Sequence, residues 1–149
     1  MKTKAIFFIL VLAVTTVFTA CEKEETPKPE INNFELGYEN NKTVHAGEDL
    51  HIDAEIVALG KIDRIQIVIH KHHHEHEHKS LTALKHAAEW ELDTVYTKFS
   101  GLKNTRFHEH IDIPEHAEEG EYAVHFIVID MEGNTGSIDD ELEIKHEHN

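Results

Sequence analysis

The chain of 149 residues has one cysteine, so no internal disulfide braces the fold and a packed core must hold it together. Three prolines and seven glycines are too few for a collagen-like or Pro/Gly low-complexity chain. Positive charge is also short: 14 Lys and Arg stand against 29 Asp and Glu, for a formal charge of -15 at neutral pH. That balance argues against a nucleic-acid partner, because each phosphate contact would begin with like-charge repulsion. What the sequence has in excess is histidine, 15 residues, about one in ten and several times the ordinary share. Imidazole titrates near pH 6.5, so acidification to about pH 5.5 would add on the order of 13 positive charges and nearly cancel the acidic excess. Protons and transition-metal ions are therefore the first ligands to consider.

Long apolar runs are missing except at the start. Lys2 and Lys4 precede an apolar stretch from Ala5 to Phe18, which leads into Thr19-Ala20-Cys21. A charged start, an apolar stretch of this length and a small residue before the cut describe a secretory signal peptide; the run is short for a transmembrane helix. With the lone cysteine directly after the small residue, the segment resembles a bacterial lipoprotein signal in which Cys21 carries the lipid, although Phe18 stands where Leu is usual. Glu22-Lys23-Glu24-Glu25 resembles the acidic tag that exports lipoproteins of some Gram-negative bacteria to the cell surface. The expected location is a lipid anchor in the outer membrane, with surface display favoured over the periplasmic side.

This divides the chain into a signal peptide (1–20), a lipidated Cys21 with an extended tether (21–30), one domain (31–145) and a His-containing tail (146–149). Pro27 and Pro29 keep the tether extended. Loss of the leader leaves 129 residues, which suits one domain, and takes the charge from -15 to -17 because Lys2 and Lys4 go with it.

From Ile31 onward the apolar pattern has period two, the mark of half-buried strands. Leu50, Ile52, Ala54 and Ile56 alternate with His51, Asp53 and Glu55; Ile65, Ile67 and Ile69 alternate with Gln66, Val68 and His70. Ala58-Leu59-Gly60-Lys61 forms a short connection between these two strands. Phe107, Ile111 and Ile113 share a face opposite His108, His110 and Asp112, and Pro114 ends that strand. Ala123 to Asp130 is apolar on both faces and reads as a central strand. Gly120-Glu121-Tyr122 before it resembles the tyrosine corner of immunoglobulin-like sandwiches. Asp130 is expected to cap the Gly133-Asn134 turn, with carboxylate ligation of a metal as its alternative, and Ile138, Leu142 and Ile144 mark a last strand. A helical turn or two is expected within Ser80 to Glu89. The sum is an all-β, immunoglobulin-like β-sandwich of about seven strands.

The histidines fall into groups. Neutral imidazole binds Zn²⁺ at about 2.0 to 2.1 Å, and three or four such nitrogens satisfy a tetrahedral ion. On a strand, positions i and i+2 share a face, so His70 with His72 and His108 with His110 have ligand spacing. His74, His76 and His78 extend the first group into a polar run that would act as a mobile auxiliary chelator. The defined site is expected to combine His70, His108 and His110, near strand ends. Zinc is the expected ion, with Cu²⁺ and Ni²⁺ as competitors because imidazole suits both. His108 and His110 also fit an exposed face paired with carboxylates. His125 reads as a core or interface residue, His146 and His148 as a frayed tail, and His45, His51, His86 and His116 as isolated surface residues.

Along Lys103-Asn104-Thr105-Arg106-Phe107-His108-Glu109-His110-Ile111-Asp112-Ile113-Pro114, Glu119-Gly120-Glu121-Tyr122 and Asp130-Met131-Glu132-Gly133-Asn134, with Ile67-Val68-Ile69-His70 and Trp90 upstream, the chain resembles a family of His-rich bacterial lipoproteins classed as domain of unknown function 4625. The resemblance covers most of the domain and implies a β-sandwich with recurrent His, without supplying an activity. In that family a His often follows the Tyr directly; here Ala123 stands there and His125 comes two residues later on the same strand face.

The function expected from these features is a cell-envelope lipoprotein that captures or buffers a transition metal, held to the membrane through Cys21, with another envelope protein as a partner in handing on the ion. The alternative is a non-enzymatic adhesion module that binds a glycan or protein, with Trp90 and Tyr96 as an aromatic platform. Catalysis is not expected. No His-Glu-x-x-His or Gly-x-Ser-x-Gly occurs, and Glu109 alternates to the strand face opposite His108 and His110.

Overall fold

The computed structural model describes residues 26–72 and 90–146. Among the described residues eight strands form: β1 (Glu30–Leu36), β2 (Thr43–His45), β3 (Asp49–Val57), β4 (Ile62–Lys71), β5 (Leu92–Tyr96), β6 (Asn104–Asp112), β7 (Gly120–Asp130) and β8 (Thr135–Lys145). They make two sheets, one of three strands in the order β1-β3-β6 and one of five in the order β2-β8-β7-β4-β5. Every pairing is antiparallel except β2 with β8, which is parallel. The architecture is an all-β sandwich, and its strand order is compatible with an immunoglobulin-like arrangement. The sequence pattern foresaw the long strands. It missed β2, whose three residues are too few for alternation to register, and it did not place β1 or the five-residue β5. The helical turn expected within Ser80 to Glu89 lies outside the described residues.

Alternation decides what each strand buries. Leu50, Ile52, Ala54 and Ile56 of β3 turn inward to meet Ile65, Ile67 and Ile69 of β4, and all are essentially inaccessible to solvent. Phe107 of β6 and Phe126 of β7 meet edge to face across the interior, ring centres 5.1 Å apart. Burying one such ring is worth roughly 1.5–3 kcal/mol. β7 lies between β4 and β8; Tyr122, Val124, Phe126 and Val128 on its inner face are buried, and Ala123, His125, Ile127 and Ile129 on its outer face are half-buried.

Two predicted fastenings are present. The Tyr122 hydroxyl donates to the Glu118 carbonyl at 2.8 Å, a tyrosine corner at the entry to β7. At the other end of β7, Asp130 is buried and its carboxylate accepts from the backbone N–H groups of Glu132 (2.9 Å) and Asn134 (2.8 Å) and from the Asn134 side chain (2.9 Å). Burial by itself would raise the Asp130 pKa; the Asn134, Glu132 and Gly133 hydrogen bonds outweigh it and hold the carboxyl below its ordinary value.

Candidate metal centre

The outer face of the three-stranded sheet carries the polar half of the alternation. In the β3–β6 ladder His51 lies directly opposite His110, and Asp53 opposite His108. With Leu50, Ile52, Phe107 and Ile111 turned into the core, Asp49, His51 and Asp53 must share the outer face with His108 and His110. One ring nitrogen from each of His51, His108 and His110 lies within 4.8 Å of the others. The three ring centres are 5.0, 5.2 and 5.3 Å apart. Nitrogens around a tetrahedral zinc are separated by about 3.4 Å, so a small rotation of the rings closes them on one ion.

Carboxylates orient two of the rings. His108 Nδ1 is 2.8 Å from Asp53 Oδ2, and His110 Nδ1 is bonded to Asp49 Oδ2. A carboxylate only accepts, so each Nδ1 carries the proton and each Nε2 presents a lone pair. This is the arrangement in which a carboxylate fixes the tautomer of a metal-binding imidazole and raises its basicity. Asp53 is itself buried, and Arg106 Nε donates to both of its oxygens at 2.9 Å. Desolvation would raise the Asp53 pKa; the hydrogen bonds from Arg106 and His108 and the positive charge of Arg106 outweigh it and lower the pKa.

The third ring, His51, forms the floor of the site, only 8% exposed. Tyr38 stacks on it with centres 5.2 Å apart, and the Glu35 carboxylate lies 3.8 Å from its Nε2. Its Nδ1 is buried with no hydrogen-bond partner. An orphaned polar atom of this kind costs about 1–3 kcal/mol. Tyr38 reaches this position from a tight turn in which Gly37, Glu39, Asn40 and Lys42 all take positive φ. The turn is fastened by Gly37 N–H to the His51 carbonyl (2.8 Å) and Lys42 N–H to the Leu36 carbonyl (3.0 Å). Backbone strain of this sort persists where surrounding contacts enforce it, and it clusters at sites of binding. Three imidazoles so arranged, two of them supported by carboxylates, could hold a metal ion.

The structure regroups the predicted ligands. His108 and His110 come together, and they are joined by His51, expected as an isolated surface residue. The expected union of His70 with His108 and His110 does not form, because His70 lies on β4 of the other sheet and faces outward from the opposite side of the core. His70 instead stacks on His125, centres 5.2 Å apart, so His125 is no core residue. His72 follows β4, its N–H donating to the Glu121 carbonyl at 2.9 Å. His74, His76, His78 and Cys21 lie outside the described residues. His146, expected to fray, is held by a 2.8 Å contact of Nε2 with the Ala117 carbonyl. Glu109 points away from the imidazoles, as alternation requires, and pairs with Lys98.

The aromatic platform loses its members. Trp90 packs on Tyr122 (5.9 Å) and Tyr96 edge to face on Phe107 (5.1 Å), so both rings serve the core.

Among solved structures, OgpA from Akkermansia muciniphila is similar over 80% of this chain, with TM-score 0.54 and 10% identity; the chain spans 29% of that protein's length. A Niemann-Pick type C2 protein from the Japanese carpenter ant is similar over 81% of this chain and 96% of its own, with TM-score 0.50 and 6% identity. At such identities the likeness is one of fold alone. No curated protein matches the sequence. A family model does match, over residues 19–145, and the chain belongs to that family, the domain of unknown function DUF4625.

Proposed function

We propose that the protein is a metal-binding module that holds one Zn²⁺ between His51, His108 and His110, with Asp53 and Asp49 orienting two of the rings. The observation that carries this reading is the triad itself: three imidazoles within reach of one ion, two with their Nδ1 protons already committed to carboxylates and the third buried with an unpartnered nitrogen. The acidic surface supports it by concentrating cations. The proposal extends to a cell-envelope setting, in which lipidation of Cys21 tethers the domain to the outer membrane and the imidazoles of His74, His76 and His78 assist capture before the ion passes to an envelope partner. Binding is the reading favoured because Asp49 and Asp53 are taken up in holding two of the rings, the orienting role a ligand shell needs.

Calorimetric titration of the full chain with Zn²⁺ tests the reading. One equivalent is expected to bind more tightly than the His-rich run binds, and His51→Ala is expected to remove that event, a loss of about 100-fold or more given the 10–100-fold that orienting groups alone contribute. A wild-type isotherm indistinguishable from that of His51→Ala would overturn it. Affinity is also expected to fall as pH is lowered, because ligand nitrogens must be unprotonated.

A further inference from the structure

The opposite face of the sandwich carries a second set of imidazoles. In the β4–β7 ladder His70 lies opposite Ala123 and Val68 opposite His125, so His70 and His125 are diagonal neighbours on the outer face of the five-stranded sheet. Alanine beside His70 leaves room for the two rings to meet. They stack at 5.2 Å with planes 21° apart. Asp139 of β8 is the cross-strand partner of His125 and takes its Nδ1 at 2.6 Å. Because the carboxylate only accepts, the proton sits on Nδ1 and His125 Nε2 presents a lone pair, the same device that orients His108 and His110. Among the described residues no hydrogen bond engages His70's ring, so its nitrogens are available.

Spacing allows the two rings to share an ion. A metal about 2.1 Å from a ligating nitrogen sits about 3.2 Å from the ring centre, so two imidazoles on one ion have centres up to about 6.4 Å apart. The 5.2 Å of this pair is inside that limit, and with the planes now 21° apart a rotation of the exposed His70 ring out of the stack brings both nitrogens to one ion. Glu121 and Glu141 lie on the same outer face as Asp139 and give the surroundings a negative sign.

We propose that His70 and His125 form a second, bidentate transition-metal site, with Asp139 as its orienting carboxylate and water completing the coordination. Two imidazole nitrogens with open positions suit a tetragonal ion, and the intrinsic order of affinity makes Cu²⁺ the best divalent occupant. This site does not depend on the triad: it lies on a different sheet and uses none of the same side chains.

Cu²⁺ titration of the full chain in the His51→Ala background, read by paramagnetic broadening of assigned NMR signals, tests it. Early broadening is expected at Ala123 and His125 together with His70. His125→Ala leaves every residue of the His72–His78 run in place, so the run's own chelation is a constant background. That substitution is expected to weaken Cu²⁺ binding at this face about tenfold or more and to leave the Zn²⁺ isotherm of the otherwise wild-type chain unchanged. His70→Ala, at an exposed position, should give the same loss and guards against a folding defect in the first variant. Broadening confined to the His run, or equal Cu²⁺ affinity with and without His125 and His70, would overturn the proposal whatever the triad does.

Discussion

The two outer faces of the sandwich carry imidazoles in different settings. On the three-stranded sheet, His51 is buried beneath Tyr38, and Asp53, itself buried, braces His108 with help from Arg106. On the five-stranded sheet, His70 is exposed and Asp139, which braces His125, has a side chain 73% exposed. The covalent parts are the same, imidazole and carboxylate. What differs is dielectric and rigidity: a desolvated carboxylate fixed by an arginine orients a ring firmly, whereas a solvated one competes with water and is worth little. The comparison teaches that histidine count alone ranks neither face. The burial of one ring and one carboxylate gives the first face a braced triad and leaves the second a solvent-exposed pair.

The largest disturbance available is one that removes what both faces share. Phe107 lies on β6 directly beneath the triad and contacts Phe126, Tyr96 and Phe99. Phe107→Ala is expected to cost about 3–5 kcal/mol of stability. Chemical denaturation measures this, and a loss below about 1 kcal/mol would mean that the core does not support the faces as described.

Asp53→Asn sharpens the contrast itself. It should lower Zn²⁺ affinity about 10–100-fold, while Asp139→Asn leaves Zn²⁺ binding within experimental error. Calorimetry on both variants checks the pair of outcomes, and equal effects would erase the distinction between buried and exposed carboxylates.

The smallest expected effect lies at the far end of β7, away from the triad. Asp130 has a folded pKa below its ordinary value, so its contribution is present above the unfolded pKa of about 3.9 and is lost as pH falls through the folded value. Asp130→Asn should therefore lower stability at pH 7 by about 1–2 kcal/mol and make the decline below about pH 4 shallower. Thermal unfolding from pH 7 down to pH 3 reads both changes. An unaltered acid limb would show that the turn, unlike the triad, does not depend on its carboxylate.

Much of the fold was legible because period-two alternation is written residue by residue. Leu50, Ile52, Ala54 and Ile56 named the buried face of β3 and, by the same token, placed His51 and Asp53 on the other. Tyr122 and Asp130 were legible because each fastening is local, joining residues four positions apart or fewer. The centre was half legible. His108 and His110 stood out as a pair, but their partners Asp53 and His51 are remote in sequence, the Asp53–His108 contact spanning 55 positions. A single polar His on an alternating strand carries no local mark of being covered; the cover comes from Tyr38, whose ring is placed by an irregular turn with no periodicity to read.

By itself, then, the sequence determined that the chain forms strands, which residues face inward, and that imidazoles and carboxylates crowd the outward positions. Tertiary structure alone decided which imidazoles meet. Strand order sent His70 to one side of the core and His108 with His110 to the other, and the β3–β6 register brought His51 opposite His110. The physical reason is that alternation fixes a side chain's face within its own strand, whereas neighbours across strands are set by pairing and register, and a shift of a single residue would exchange the faces of the whole set.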